Sequence, residues 1–188
     1  SSSCPPPPGP PASPSAHSTH AMSDAPKITL DTRVISLRRP WAAALLGEPP
    51  EDGEDASRGT FFKDVENRSQ PPPATGWYLV LSSKARPRAD ELKTLRRILL
   101  ETGEADRFYS RGCGTGEPAA LMGWIYVAGH YYGNRGNAWE SRGACHWQVT
   151  DSIRFKHPIR EIPGCQSLTR FVKSYKDDVR ERIFASGH

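Results

Sequence analysis

Nowhere in this 188-residue chain does an apolar run approach the length a membrane-spanning helix needs, about 18 residues or more, so no such span is expected. Cysteine is scarce. Cys4, Cys113, Cys145 and Cys165 form no C-x-x-C pair and stand at no zinc-like spacing, so they read as small inert thiols, and neither a metal nor a cofactor is expected. There is no internal repeat. The first 26 residues hold no aromatic side chain, no Lys or Arg, and only Met22 as a large apolar residue. So little apolar surface cannot offset the entropy of ordering, and residues 1–26 are expected to form a disordered Pro/Ser-rich tail. The lack of a basic, then apolar, leader argues against a secretory signal, and the lack of arginine against a transit peptide. The expectation is an intracellular location, cytoplasmic or nuclear, with reduced thiols.

What remains, residues 27–188, is long enough for one sizeable core. The net charge is +4 but uneven: "EPPEDGEDASR" (48–58) holds five acids and one base, and the rest carries a moderate basic excess. Such an excess suits a polyanionic partner, though many solvated surfaces share it.

"RVISLR" (33–38) alternates as a short strand, and "RPWAAALLG" follows as a buried helix opened by Pro40 and ended by Gly47. Residues 48–62 read as an acidic loop, 63–69 as a strand, and "QPPPATG" as a turn. "WYLVLSS" (77–83) is a strong strand. "ADELKTLRRILLETG" (89–103) reads as an amphipathic helix with Asp90 at its start and Leu92, Leu95 and Leu99 on one face. A Gly-rich loop (104–120) leads to a central strand (121–132). A second loop (133–144), a strand (145–155) and an edge strand (157–164) follow, then a helix over 167–184. This order predicts an α+β domain on a small mixed β-barrel.

"ISLRRPWAAALLG", "KDVENR", "WYLVLSSK", "GWIYVAGHYY" and "CHWQVTDSIRFKHPIREIPGCQSL" occur in the order found in the ASCH (activating-signal-cointegrator homology) family of the PUA-like superfamily, which the chain resembles over roughly residues 33–168. Pro40-Trp41-Ala42 fits the family's helix opening, and Lys63, Glu66 and Arg68 fit its Lys-x-x-Glu-x-Arg segment. Ser83 and Lys84 fit a strand end, and Gly123 a later strand. In the family a glycine precedes the lysine by two positions, whereas here the acidic loop separates Gly47 from Lys63.

The resemblance implies a PUA-like mixed β pseudo-barrel with flanking helices, and a basic cleft between the first helix and the barrel. It implies a reader of single-stranded RNA or a modified nucleotide that does no chemistry. Arg38, Lys63, Arg68 and Lys84 would donate to phosphate or base, Trp41 would stack, Glu66 would accept from a base edge or orient an arginine, and Ser83 would line the site. By strand alternation Glu66 and Arg68 share a face and Lys63 does not. Among the five tryptophans, Trp77, Trp124 and Trp147 read as core, and Trp41 and Trp139 as stacking residues.

Two other classes stay open. Some relatives are amidohydrolases acting on acetylcytidine, with Thr where Glu66 stands; Thr60, Ser69 or Ser83 would then have to supply the hydroxyl. A ribonuclease would draw on Lys84, His130 and His146 as acid and base. A protein-interaction module of the transcriptional-coactivator type is the third class, with "PPPPGPPASP" offered to SH3 or WW domains.

Overall fold

The computed structural model describes residues 26–114, 116–164 and 169–186. Apart from Pro26, the expected tail lies outside this range, as do Cys165 and the first two residues, Ser167 and Leu168, of the expected last helix.

Strand β1 (Arg33–Leu37) leads through Arg38 into helix α1 (Arg39–Leu46). Pro40 sits in the first turn, where its missing N–H costs nothing. The run Ala42–Leu46 is wholly buried. Gly47 ends the helix at φ 81°, and no other residue fits, because a Cβ there would lie 2.3 Å from the carbonyl carbon of Thr60.

The acidic loop carries a three-residue strand, β2 (Ala56–Arg58). Next come β3 (Val65–Arg68), shorter than expected, β4 (Gly76–Ser82) and helix α2 (Ala89–Glu101). Asp90 does not cap α2. Glu91 turns back instead and accepts the N–H of Arg88 at 3.0 Å. The buried face is Glu91, Leu95, Ile98 and Leu99, whereas Leu92 is exposed. A short helix α3 (Ala105–Ser110) occupies part of the expected loop, because Phe108 has a core to enter against Phe62.

Strand β5 (Ala120–Tyr132) and strand β6 (Cys145–Ile159) are the long central pair. The expected break before Pro158 does not occur: the proline sits near the strand end, where no ladder partner is required of it. The expected last helix is also revised. Residues 169–171 form strand β7 on the outer edge of β1, a 3₁₀ turn spans Val172–Ser174, and only Asp177–Ala185 is helical (α4).

The strands form one mixed sheet in the order β2-β6-β5-β4-β1-β7, with β3 also paired to β6. Among the described residues only β1 and β4 pair in parallel. The length of β6 lets it carry β2 at residues 153–155 and β3 at residues 145–148. Among the described residues no backbone ladder joins β3 to β1, and hydrogen bonding does not close the sheet into a barrel.

Alternation on β1 and β4 sends residues to two cores. Val34, Leu79 and Leu81 face a layer with Val172, Val179 and Ile183. Ile35, Tyr78 and Val80 face Leu45, Leu46 and Trp147. A third core, Ala43, Ala44, Phe62, Leu95, Leu99 and Phe108, seats α2 and α3 on the far side of α1. α1 is thus buried on both sides and is a rigid mount for whatever its first turn presents.

Candidate functional site

A cleft of about 270 Å³ opens where α1, α2, β3 and the β5–β6 loop meet. Trp41 enters it from the first turn of α1, half-buried, and Thr94, Arg97 and Ile98 enter from α2. Lys63, Glu66 and Asn67 come from β3 and the residues before it, and Ala138–Ser141 form the remaining wall. A shallower hollow of about 310 Å³, lined by Phe61, Phe62, Asp64, Thr102 and Asn137, shares Ala138 and Trp139 with it.

The floor is the buried Lys63–Glu66 ion pair, with Arg68 behind it. Lys63 Nζ donates to Glu66 Oε2 at 2.5 Å, and Arg68 Nε lies 3.0 Å from Glu66 Oε1, too poorly aligned for a hydrogen bond. Lys63 and Glu66 are 3% and 6% exposed. Strand alternation would set Lys63 apart from Glu66, but Lys63 stands before β3 begins. Its N–H is held by the Ala44 carbonyl at 3.0 Å, which turns the side chain back towards Glu66. The Lys63 ammonium also lies 5.8 Å from the centre of the Trp41 ring, within cation–π range.

Arg68 does not reach the cleft. Its Nη2 donates to the Ser36 carbonyl at 2.9 Å and its guanidinium lies over Trp147. Ser83 is likewise outside, with a buried hydroxyl that has no hydrogen-bond partner among the described residues. Arg38 and Lys84 are exposed and outside the lining, and Arg38 donates to Glu91 at 2.6 Å. The buried Glu91 carboxyl would rise by desolvation, but the Arg88 N–H and the Arg38 guanidinium bring it below the usual carboxylate range.

The lining is not basic. Lys63 and Arg97 are matched by Glu66 and Glu140, so an excess of positive charge must be sought elsewhere.

Asn67 builds the loop wall. Its Nδ2 donates to the Trp139 carbonyl at 2.7 Å and its Oδ1 accepts the Ser141 N–H at 3.0 Å. The same Oδ1 lies 2.8 Å from His146 Nδ1; since it is already an acceptor, the hydrogen-bond network places the imidazole proton on Nδ1. Tyr131 donates to Glu140 at 2.7 Å, and burial together with that carboxylate pushes the Tyr131 phenol up to about 12. Trp139, expected as an open stacking face, is only 5% exposed and forms the inner side of the wall.

Thr94, Arg97, Asn67 and Ser141 line the cleft without having been expected to. The i, i+3, i+6 series Glu91, Thr94, Arg97 is the sequence signal that one face of α2 runs along it. Lys84, His130 and His146 do not converge: none lines the cleft, and His146 is buried against Asn67. Thr60, Ser69 and Ser83 also lie outside its lining.

Among the described residues no three His, Cys, Asp or Glu side chains gather as a metal site, and no helix is long and apolar enough to cross a membrane. Cys113 and Cys145 are buried free thiols. No protein-family model and no curated protein matches this chain.

Proposed function

We propose that this domain binds single-stranded RNA or a modified nucleotide, holding one base in the cleft beside Trp41, and that its architecture is a PUA-like pseudo-barrel of the ASCH type. The observation that carries the reading is the half-buried Trp41 indole set beside a buried Lys63–Glu66 pair in a cleft at the small end of ligand-site volumes. The indole offers a π face. The ammonium keeps donors beyond the one given to Glu66, and the hydroxyls and amide of Thr94, Ser141 and Asn67 supply further polar groups for a base edge. For the pseudo-barrel, the support is the Arg68 side chain spanning from β3 to the Ser36 carbonyl where no ladder does.

Binding is favoured over hydrolysis by the state of Lys63. An ammonium that donates to Glu66 is set up to hold an acceptor, not to take a proton from a hydroxyl.

The test is fluorescence anisotropy of the full chain with labelled single-stranded RNA, alongside Trp41→Ala. Loss of stacking should weaken binding by about 1–3 kcal/mol. No binding up to about 100 μM, a concentration that reaches non-specific affinities, or equal binding by Trp41→Ala, would overturn the reading.

A further inference from the structure

The positive charge missing from the cleft lies beside it. Parallel strands β1 and β4 end together, the Ser83 N–H donating to the Leu37 carbonyl at 2.8 Å. The residues that follow are Arg38 and Arg39 on one side and Lys84, Arg86 and Arg88 on the other. Arg39 Nε donates to the Ala85 carbonyl at 3.0 Å and so ties the two segments into one surface.

Against these five cations stand two carboxylates, Asp90 and Glu91. Both oxygens of Glu91 are engaged, one by Arg38 and the other by the Arg88 N–H. Asp90 lies 3.5 Å from Arg88 Nε. Among the described residues no carboxylate lies within ion-pair distance of Arg39, Lys84 or Arg86. Lys84 and Arg86 are exposed, so packing does not account for them. A like-charge cluster held by the backbone at the mouth of two strands costs stability unless an anion occupies it.

The cluster is continuous with the cleft. The Arg38 carbonyl accepts the Trp41 N–H at 3.1 Å, so the indole stands one turn from the patch. On α2, Thr94 and Arg97 follow Glu91 along the face that lines the cleft.

We infer that Arg38, Arg39, Lys84, Arg86 and Arg88 bind the phosphodiester backbone of nucleotides flanking the base held in the cleft. The inference rests on the proposed nucleic-acid reading. It divides the labour: the neutral cleft takes a base, and the patch takes the charge.

The experiment compares the full chain with a Lys84→Gln/Arg86→Gln variant. These two side chains make no ion pair or hydrogen bond among the described residues, so the fold should survive, which circular dichroism checks. The probe is a single-stranded RNA of about 12 nucleotides, within the range of single-strand site sizes, titrated over a salt series. The expected result is a salt slope shallower by about 0.7 for each phosphate that the variant no longer neutralises, with affinity for an uncharged nucleoside unchanged. An unchanged slope, in a variant whose RNA binding still depends on Trp41, overturns the inference and leaves the cleft reading standing. A shallower slope with no dependence on Trp41 overturns the cleft reading and, with it, the link between patch and cleft. Binding to phosphatidylserine vesicles that weakens in the variant, without RNA binding, also overturns the inference.

Discussion

Arg68 on β3 donates its Nη2 to the carbonyl of Ser36 on β1 at 2.9 Å, joining two strands that share no backbone ladder. Among the described residues β7 pairs with β1 from Arg33 to Ile35, and the Ser36 carbonyl that follows is met by the Arg68 side chain.

Arg68→Ala should therefore cost stability before it touches binding. The loss is that of a charged hydrogen bond to a part-buried acceptor, about 1.5–3 kcal/mol. Arg68→Lys should recover little, since one ammonium cannot serve Glu66 and Ser36 with the geometry of a guanidinium. Urea unfolding at constant m-value measures the loss. Wild-type stability for Arg68→Ala would show that the bridge contributes nothing.

Lys63 and Glu66 are buried together, so removing one leaves the other charged without its partner. Glu66→Ala should destabilise by about 3–5 kcal/mol, and Lys63→Met/Glu66→Ala by less than Glu66→Ala alone. A double-mutant cycle reads the coupling directly. Additive losses would mean that the 2.5 Å contact carries no coupling energy.

Glu91 supplies a pH dependence whose sign is fixed. Its carboxyl sits below the usual range in the folded state, despite the opposing effect of burial, because Arg88 and Arg38 hold the charged form. A lowered folded value means that the stabilisation is present above the unfolded value, about 4.3, and is lost as pH falls through the folded one. The melting temperature of Glu91→Gln should lie below wild type at pH 7, and the gap should close in acid. A gap that is constant down to pH 2 would contradict the assignment.

Much of the scaffold was legible. Pro40 and Gly47 bracket α1 as expected, because each acts through its own backbone. The aromatic and branched run of "WYLVLSS" announced β4 as a strong strand. Trp41, Lys63 and Glu66 do share one cleft. What local pattern could not supply was the path between elements. Alternation separated Lys63 from Glu66 because it assumed a strand where the chain is still turning off the Ala44 carbonyl. Trp139 looked open because its neighbours are polar; it is buried in the core that holds Phe62 and Leu95, and Asn67, 72 positions earlier, holds its carbonyl there. Residues 169–171 carried helical spacing, yet an unoccupied edge on β1 took them as a strand.

The excursion between Gly47 and Thr60 leaves and re-enters through a single doorway. The Phe62 and Lys63 N–H groups both return to the Ala44 carbonyl at 2.9 and 3.0 Å, one turn inside the helix from which the chain departed. Excising residues 48–61 would place Gly47 two positions ahead of Lys63, and the main structural element to go would be β2, a short margin on β6. The acidic segment is thus an appendage with moorings of its own: Asp55 and Ser152 tie it to β6, and Glu48 and Thr60 take the Arg107 guanidinium. What sets the register of the helix against the lysine is the shared Ala44 carbonyl at the doorway, not the path between.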